Sequence, residues 1–322
     1  GRLVISRLVT LVGIFSLRAS SILLQMLVLL LVGRIIGPAG VGAMQTFLSW
    51  TTTLGETAAA GLPVEAMRRY ARKGPGERQL FRDYLRRIGS LTLLVFAGAC
   101  LALLAELFEL GAALAPLLLS VPAFAVARLG AEGLKARGRI VFGIAVETAG
   151  SPALAFLTLT AGYLNWLTIT PVMITGAYAA GFLAAACMLA LRLYADLSAS
   201  GDAPPLKWVD HSPFWITSLV SIVFLNLPFL LLPLFASAEE IGAFALAFKL
   251  LNIVTTILIM LGALYGPKFA RCAQDNDIAG MFGLLRQTQL VSAALYLPVA
   301  LMLILFYDRI HPIFGPGFES GG

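Results

Sequence analysis

Apolar residues run for about twenty positions at a time along this chain, and each run is stopped by a few charged residues or by proline and glycine. A hydrocarbon layer roughly 30 Å thick is crossed by about 20 helical residues, so the pattern predicts membrane-spanning helices. Nine are predicted: Leu11 to Val32, Val41 to Leu62, Ile88 to Leu107, Ala112 to Leu129, Ile140 to Leu164, Ile169 to Leu191, Pro213 to Phe235, Ile241 to Leu264 and Gln289 to Tyr307. Strands of a membrane barrel would alternate over about ten residues instead, which excludes that class. The first run is full length and lacks a small-residue cleavage site, so it reads as a retained helix and not as a signal peptide.

Two of the interruptions resemble each other. "RIIGPAGVGAMQTF" from Arg34 and "LFASAEEIGAFALAF" from Leu234 align at an offset of 200 residues, pairing Val41 with Ile241, Gly42 with Gly242, Ala43 with Ala243 and Met44 with Phe244. Each joins a first span to a second through a short turn, and each second span ends in a basic segment, "YARKG" at Tyr70 and "FARCA" at Phe269. The chain therefore reads as two bundles repeated in the same direction, related by an axis along the membrane normal. The polar stretch from Ala195 to Ser212 separates them, giving a six-helix bundle over 1–195, a cytoplasmic linker over 196–212 and a partial bundle over 213–322 with three helices and the turn before a fourth. The expected fold class is all-α, a polytopic helical membrane protein with both bundles around a central cavity and the second one incomplete.

Composition agrees, with 59% hydrophobic and 12% charged residues over 322 and a mean hydropathy of +0.89. The net charge of +6 raises nucleic acid as a partner, but the basic residues follow the membrane. Eighteen of the 23 lie before the first span or in the even-numbered loops, two in odd-numbered loops and three within spans. Basic loops stay in the cytoplasm, which places the amino terminus there. Glu106, Glu109, Glu239, Glu240 and Asp308 fall on the opposite side. The run from Arg68 to Arg87 reads as an amphipathic segment facing lipid headgroups, and no nucleic acid is expected. Cys100, Cys187 and Cys272 are widely separated and His211 and His311 isolated, so neither metal nor cofactor is expected. Trp166, Trp208 and Trp215 near span ends read as interface anchors. Pro63, Pro122, Pro152, Pro171, Pro228 and Pro233, with Gly55, Gly61 and Gly262, interrupt helices or let them approach, as in many membrane bundles.

Charges within spans need a partner, water or a use. Counted from a turn near Gly37, Arg18 lies 19 residues before and Glu56 19 after, so a pair at equal depth is expected. Counted from a turn near Leu134, Arg128 and Glu147 are out of level by about 10 Å, and Arg128 is expected to snorkel to the headgroups. Counted from Ala238, Lys249 lies level with the neutral Asn226 and, through the repeat, replaces Ser49. Gln25, Ser49 and Asn226 form an expected polar layer.

Three patches carry a family resemblance. The run from Leu30 through "GRIIGPAGVGAMQTF" to "EAMRRYARKG" resembles the first hairpin of polysaccharide flippases in the multidrug/oligosaccharidyl-lipid/polysaccharide (MOP) exporter superfamily. "LKARGRIVFGIAVETAGSPALAF" is similar to that family's fourth-to-fifth helix connection, and "IFGPGFESGG" to the turn before its tenth helix. Members usually have twelve to fourteen helices, so the chain reads as truncated after nine to ten. The resemblance implies no enzyme but a transporter that flips lipid-linked oligosaccharide, carried on a polyprenyl diphosphate, from the cytoplasmic to the periplasmic leaflet of the bacterial inner membrane. Membrane lipids and other polysaccharide-assembly proteins are further expected partners.

Within that frame Arg18, Lys249 and Arg128 are the candidate substrate-binding cations, since lysine and arginine both hold phosphate oxygens. The plainer readings are that Arg18 neutralises Glu56 and that Lys249 snorkels. Glu56 and Glu147 are candidates for ion coupling or counter-ions. The competing functions are a peptidoglycan-precursor or drug exporter of the same superfamily, and a membrane-embedded glycan polymerase or glycosyltransferase.

Overall fold

The computed structural model describes residues 2–104, 116–164, 168–199, 201–202, 205–251, 265, 272, 277–306, 309 and 311–315. Every regular element among them is helical. In chain order these are α1 (Arg2–Ile35), α2 (Pro38–Ala59), α3 (Leu62–Ala71), α4 (Glu77–Leu104), α5 (Leu117–Ala136), α6 (Ile140–Tyr163), α7 (Pro171–Asp196), α8 (Trp208–Leu231), α9 (residues 238–251) and α10 (Ile278–Leu305). Single 3-10 turns follow at Leu232–Leu234 and His311–Phe314. Trp166, Gly262, Glu106, Glu109, Asp308 and the segment 316–322 lie outside the described residues.

Five described segments are long and apolar enough to cross a membrane: Ser16–Ile35, Leu117–Ala136, Ile140–Tyr163, Pro171–Asp196 and Trp208–Leu234. Exposed apolar stripes mark the lipid-facing sides, as with Ile216, Val220 and Phe224 spaced four apart on α8. Helix α2 differs in kind. Gln45, Thr46, Ser49, Thr51, Thr53 and Glu56 on it are all buried, so its polar side chains meet other helices and not hydrocarbon.

Packing divides the chain into two compact units, Gly1–Gly242 and Ala243–Gly322. Helix α5 is the hub of the first, touching α2, α3, α6 and α7, while α1 lies mainly along α6 and α8 lies along α2. Small residues make these approaches possible. A Cβ on Gly130 of α5 would stand 2.8 Å from the Leu189 Cβ of α7, and one on Gly181 of α7 would stand 2.6 Å from the Ser151 Cα of α6. The second unit holds the rest of α9, where Phe244 and Phe248 stack at 6.0 Å, and α10, capped by the Asp277 carboxylate on the Gly280 nitrogen (2.8 Å). These units follow packing, whereas the expected boundary over 196–212 follows the repeat.

Several predicted ends move. The second span, expected to continue to Leu62, stops at Ala59, because Ala60 (φ 50°) and Gly61 (φ 73°) turn left-handed and Pro63 starts α3 in a new direction. The fourth-to-fifth turn centres on Gly138 (φ 80°), not on Leu134, since α5 runs to Ala136 and the Arg139 nitrogen still donates back to the Leu134 carbonyl (2.9 Å). The expected linker is shorter than 196–212, its described non-helical residues lying between 197 and 207. Trp208 to Ser212 form the first turn of α8, where Asp210 suits the positive end of the helix dipole.

The repeated glycines meet. A Cβ built on Gly42 would strike the Ala238 carbonyl and stand 3.1 Å from the Gly242 nitrogen, while a Cβ on Gly242 would strike the Pro38 carbonyl. Residue 42 against 238 and residue 242 against 38 is one contact seen from both sides, as a two-fold relation at an offset of 200 demands. The helices that cross there start differently. Pro38 opens α2 with its fixed φ, and α9 opens with a capping box in which Glu240 Oε2 accepts from the Ser237 nitrogen (2.8 Å) and Ser237 Oγ accepts from the Glu240 nitrogen (3.3 Å). The Ser237 nitrogen and hydroxyl, which both donate to Glu240 Oε2 (2.8 and 3.0 Å), hold that carboxyl below its usual proton affinity.

Candidate functional site

Three helices of the first unit bring five charges together. Helix α2 contributes Glu56 in its last turn, and α6 contributes Glu147 two turns from its start. Helix α5 contributes Arg128, Glu132 and Lys135, which fall on one face because residues three and four apart on a helix are neighbours. Arg128 Nη1 donates to Glu147 Oε1 at 2.8 Å and lies 3.8 Å from Glu132 Oε1, while its Nε faces Glu56 Oε2 at 3.6 Å. Lys135 Nζ bridges Glu132 Oε1 and Glu147 Oε2, both at 2.9 Å. The Glu56 side chain is only 7% exposed and the Arg128 side chain 31%. In this environment charges survive because each meets an opposite one. Three carboxylates against two cations leave the network formally one charge negative. A net negative charge repels a diphosphate.

This arrangement overturns two expectations. Glu56 pairs with Arg128 and not with Arg18, which is exposed on α1. Helix α1 lies mainly along α6, while the carboxylate of α2 turns toward α5. Arg128 does not snorkel. Measured from the true turn at Gly138, it lies ten residues before and Glu147 nine after, so the two are level. As a substrate-binding cation Arg128 is also displaced, because its guanidinium is committed to carboxylates.

The expected polar layer separates into distinct contacts. Gln25 Nε2 donates to Ser21 Oγ (3.5 Å), and Ser21 in turn donates to the Thr148 carbonyl of α6 (3.0 Å), beside Glu147. Ser49 is fully buried and accepts from Gln45 Nε2 within α2 (3.4 Å). Asn226 of α8 donates to Thr52 Oγ1 of α2 (3.2 Å) and to its own Ile222 carbonyl (3.0 Å). Lys249 lies half-buried on α9 in the second unit.

A further set of contacts ties the basic end of the first unit, and reading for headgroup-facing charge missed it. Arg69 Nε donates to Glu65 Oε1 (2.6 Å) and Nη2 to Asp210 Oδ2 of α8 (3.1 Å). Arg87 of α4 meets the His211 ring of α8 at 2.8 Å. Glu77 pairs with Arg137 and accepts from the Ser198 nitrogen (2.9 Å), Arg139 donates to Asp196 (3.1 Å), and Arg78 donates to the Leu197 carbonyl (3.0 Å). Arg68, Arg72, Lys73, Arg82 and Arg86 remain exposed, as a headgroup-facing segment requires. Between α3, α4 and α8 lies a cavity of about 390 Å³ lined by Glu65, Arg68, Arg69, Tyr70, Arg72 and Asp210. Burial pushes the Tyr70 and Tyr84 hydroxyls well above the usual phenol range, so both stay neutral. The i, i+4 pairs Glu65 with Arg69 and Arg128 with Glu132 were visible as spacings. Trp208 and Trp215, expected as separate interface anchors, stand edge to face at 5.6 Å, with Trp208 also against His211 at 4.7 Å.

The family model of the polysaccharide biosynthesis proteins (Polysacc_synt) matches residues 11–272. The chain belongs to this family. It is the family of MOP-type flippases that the first hairpin and the fourth-to-fifth helix connection resemble. No curated protein matches the sequence. Among solved structures, a ligand complex of the MATE multidrug transporter DinF-BH shares the fold, with a TM-score of 0.62 at 16% identity over 94% of this chain and 74% of that one. A family member with this fold is a helical multi-pass membrane protein of the MOP exporter type, and both family and fold are those of transporters.

Proposed function

We propose that this protein flips lipid-linked oligosaccharide, carried on polyprenyl diphosphate, from the cytoplasmic to the periplasmic leaflet of a bacterial inner membrane by alternating access. The observation that carries the reading is the match to the polysaccharide biosynthesis family over residues 11–272, a stretch that contains both repeated turns and the charged network. Two bundles repeated in one direction are a common construction for such transport. Lys249 is the cation assigned to the diphosphate. Arg128 belongs instead with Glu56 and Glu147 to the coupling element, whose one uncompensated carboxylate takes up a proton or a monovalent cation in one phase of the cycle.

The test is reconstitution of the full protein in liposomes with a fluorescent polyprenyl-diphosphate oligosaccharide and bleaching from outside. Protein-dependent loss of the protected fluorescence is the expected result, slowed by Lys249→Gln and partly kept by Lys249→Arg. Transport of a drug-like fluorescent dye with no movement of the glycan lipid would overturn the substrate and favour a drug exporter.

Orientation has its own test. With the amino terminus and the basic loops in the cytoplasm, a cysteine placed at Glu239 is labelled by an impermeant maleimide from outside intact cells, and one placed at Lys73 is labelled only after permeabilisation. Labelling of Lys73→Cys in intact cells reverses the topology.

A further inference from the structure

His211 has no exposed surface, and both of its ring nitrogens are engaged. Arg87 Nη1 stands 2.8 Å from Nε2, and the Ala60 carbonyl 2.7 Å from Nδ1. A guanidinium can only donate, so Nε2 must present its lone pair, and the ring proton must sit on Nδ1, where the carbonyl accepts it. The contact as built therefore requires a neutral imidazole. A second proton on Nε2 would remove the acceptor and place two cations 2.8 Å apart.

The contact joins elements that the repeat assigns to different bundles. Ala60 is the left-handed residue that separates α2 from α3, Arg87 lies on α4, and His211 lies in the first turns of α8, the first helix of the second repeat. Arg87 Nη2 also donates to the Leu206 carbonyl just before α8 (3.3 Å). The backbone of α8 rests on the same break, for a Cβ on Gly61 would stand 2.5 Å from the His211 carbonyl oxygen and 2.6 Å from the Trp215 nitrogen.

The other charges around the ring are few. From α3 come Glu65 and Arg69, which pair with each other, and from α8 itself comes Asp210, whose carboxylate turns to Arg69. Lys207 before α8 is exposed, and α2 presents only the Ala60 carbonyl, since Glu56 turns to Arg128. Arg87 is thus the nearest charge to the ring and the one that opposes its protonation.

We propose that His211 is a proton-binding site that latches the second repeat to the α2–α3 break: closed when the ring is neutral, released when a proton binds at Nε2. The opposite crossing, formed by Pro38, Gly42, Ala238 and Gly242, contains no side chain that titrates. Acidification therefore loosens the basic end and leaves the glycine crossing in place. This site is separate from the Arg128 network and stands whether or not the substrate is a glycan lipid.

The experiment places spin labels at the exposed positions Met67 of α3 and Val209 of α8, in the full chain with Cys100, Cys187 and Cys272 replaced by alanine. Distances between the labels are then read from about pH 8 down to about pH 5, the range over which histidine titrates. The expected result is a short, narrow distribution at high pH that gives way to a longer, broader one along a one-proton curve. His211→Gln, whose amide can still donate to the Ala60 carbonyl and accept from Arg87, keeps the short distance throughout. Arg87→Gln removes the opposing cation and leaves a neutral amide that can turn to accept from a protonated Nε2, so the lengthening is lost. A wild-type distance that ignores pH overturns the proposal. So does the same lengthening in His211→Gln or in Arg87→Gln.

Discussion

Arg128→Gln lowers stability by about 3 kcal/mol, the low end of the range for breaking a buried pair because the arginine is itself partly exposed. The loss does not come from Glu147, which keeps Lys135 at 2.9 Å, nor from Glu132, which keeps the same lysine. It comes from Glu56, which is almost wholly enclosed and whose ion pair is with Arg128. The double variant Arg128→Gln with Glu56→Gln removes that stranded carboxylate and recovers most of the loss, which is what a shared interaction means in a double-mutant cycle. Thermal unfolding of the detergent-purified protein, followed by size exclusion, reads both. Equal midpoints for wild type and Arg128→Gln, or a double variant no better than the single one, would show that the network holds nothing together.

Gly42→Ala and Gly242→Ala are each expected to destabilise the protein by about 1–3 kcal/mol, the usual range for overpacking, because the new methyl meets a backbone carbonyl that cannot rotate away. The diagnostic result is the double variant. Since the two glycines form one contact, opening it once makes the second methyl nearly free, and the double loss falls well short of the sum of the single losses. Full additivity would mean that the two sites are independent and that the crossing is not a unit.

Five of the nine expected spans and the repeated turns were legible in the sequence, because apolar runs and turn residues are one-dimensional signals. The offset of 200 residues read from Gly42 and Gly242 is the offset at which the backbones touch. Pairing inside the membrane was harder. Counting from a turn gives depth, but a helix side chain also has a direction around its axis, set by which neighbours the helix finds. For Arg18 and Glu56 that direction decides, since Glu56 turns to Arg128 on α5. For Arg128 and Glu147 the error lay in the turn itself. A shift from Leu134 to Gly138 is four residues, about 6 Å at 1.5 Å per residue, and it affects both sides of the comparison. The break at Ala60 had a signal in "AAGLP", since a glycine followed by a proline at the start of a helix marks a change of direction. The apolar character that runs through it concealed that signal. The ties of Arg69, Arg78 and Arg87 to α8 and its neighbours join residues more than a hundred positions apart, and no local pattern announces them.

The crossing of Pro38 and Gly42 with Ala238 and Gly242 bears on how such a chain could arise. A contact that lies on a two-fold relation is self-complementary, so two copies of a half-length chain could close it with one glycine codon serving both sides. Once duplication and fusion place the halves in one gene, that position becomes two codons, and a change in either spoils the contact for both. The caps beside it have already diverged, to a proline in one half and a serine–glutamate box in the other, because a helix can be started in several ways. Two carbonyls pressed against two α-carbons leave no such choice at the glycines.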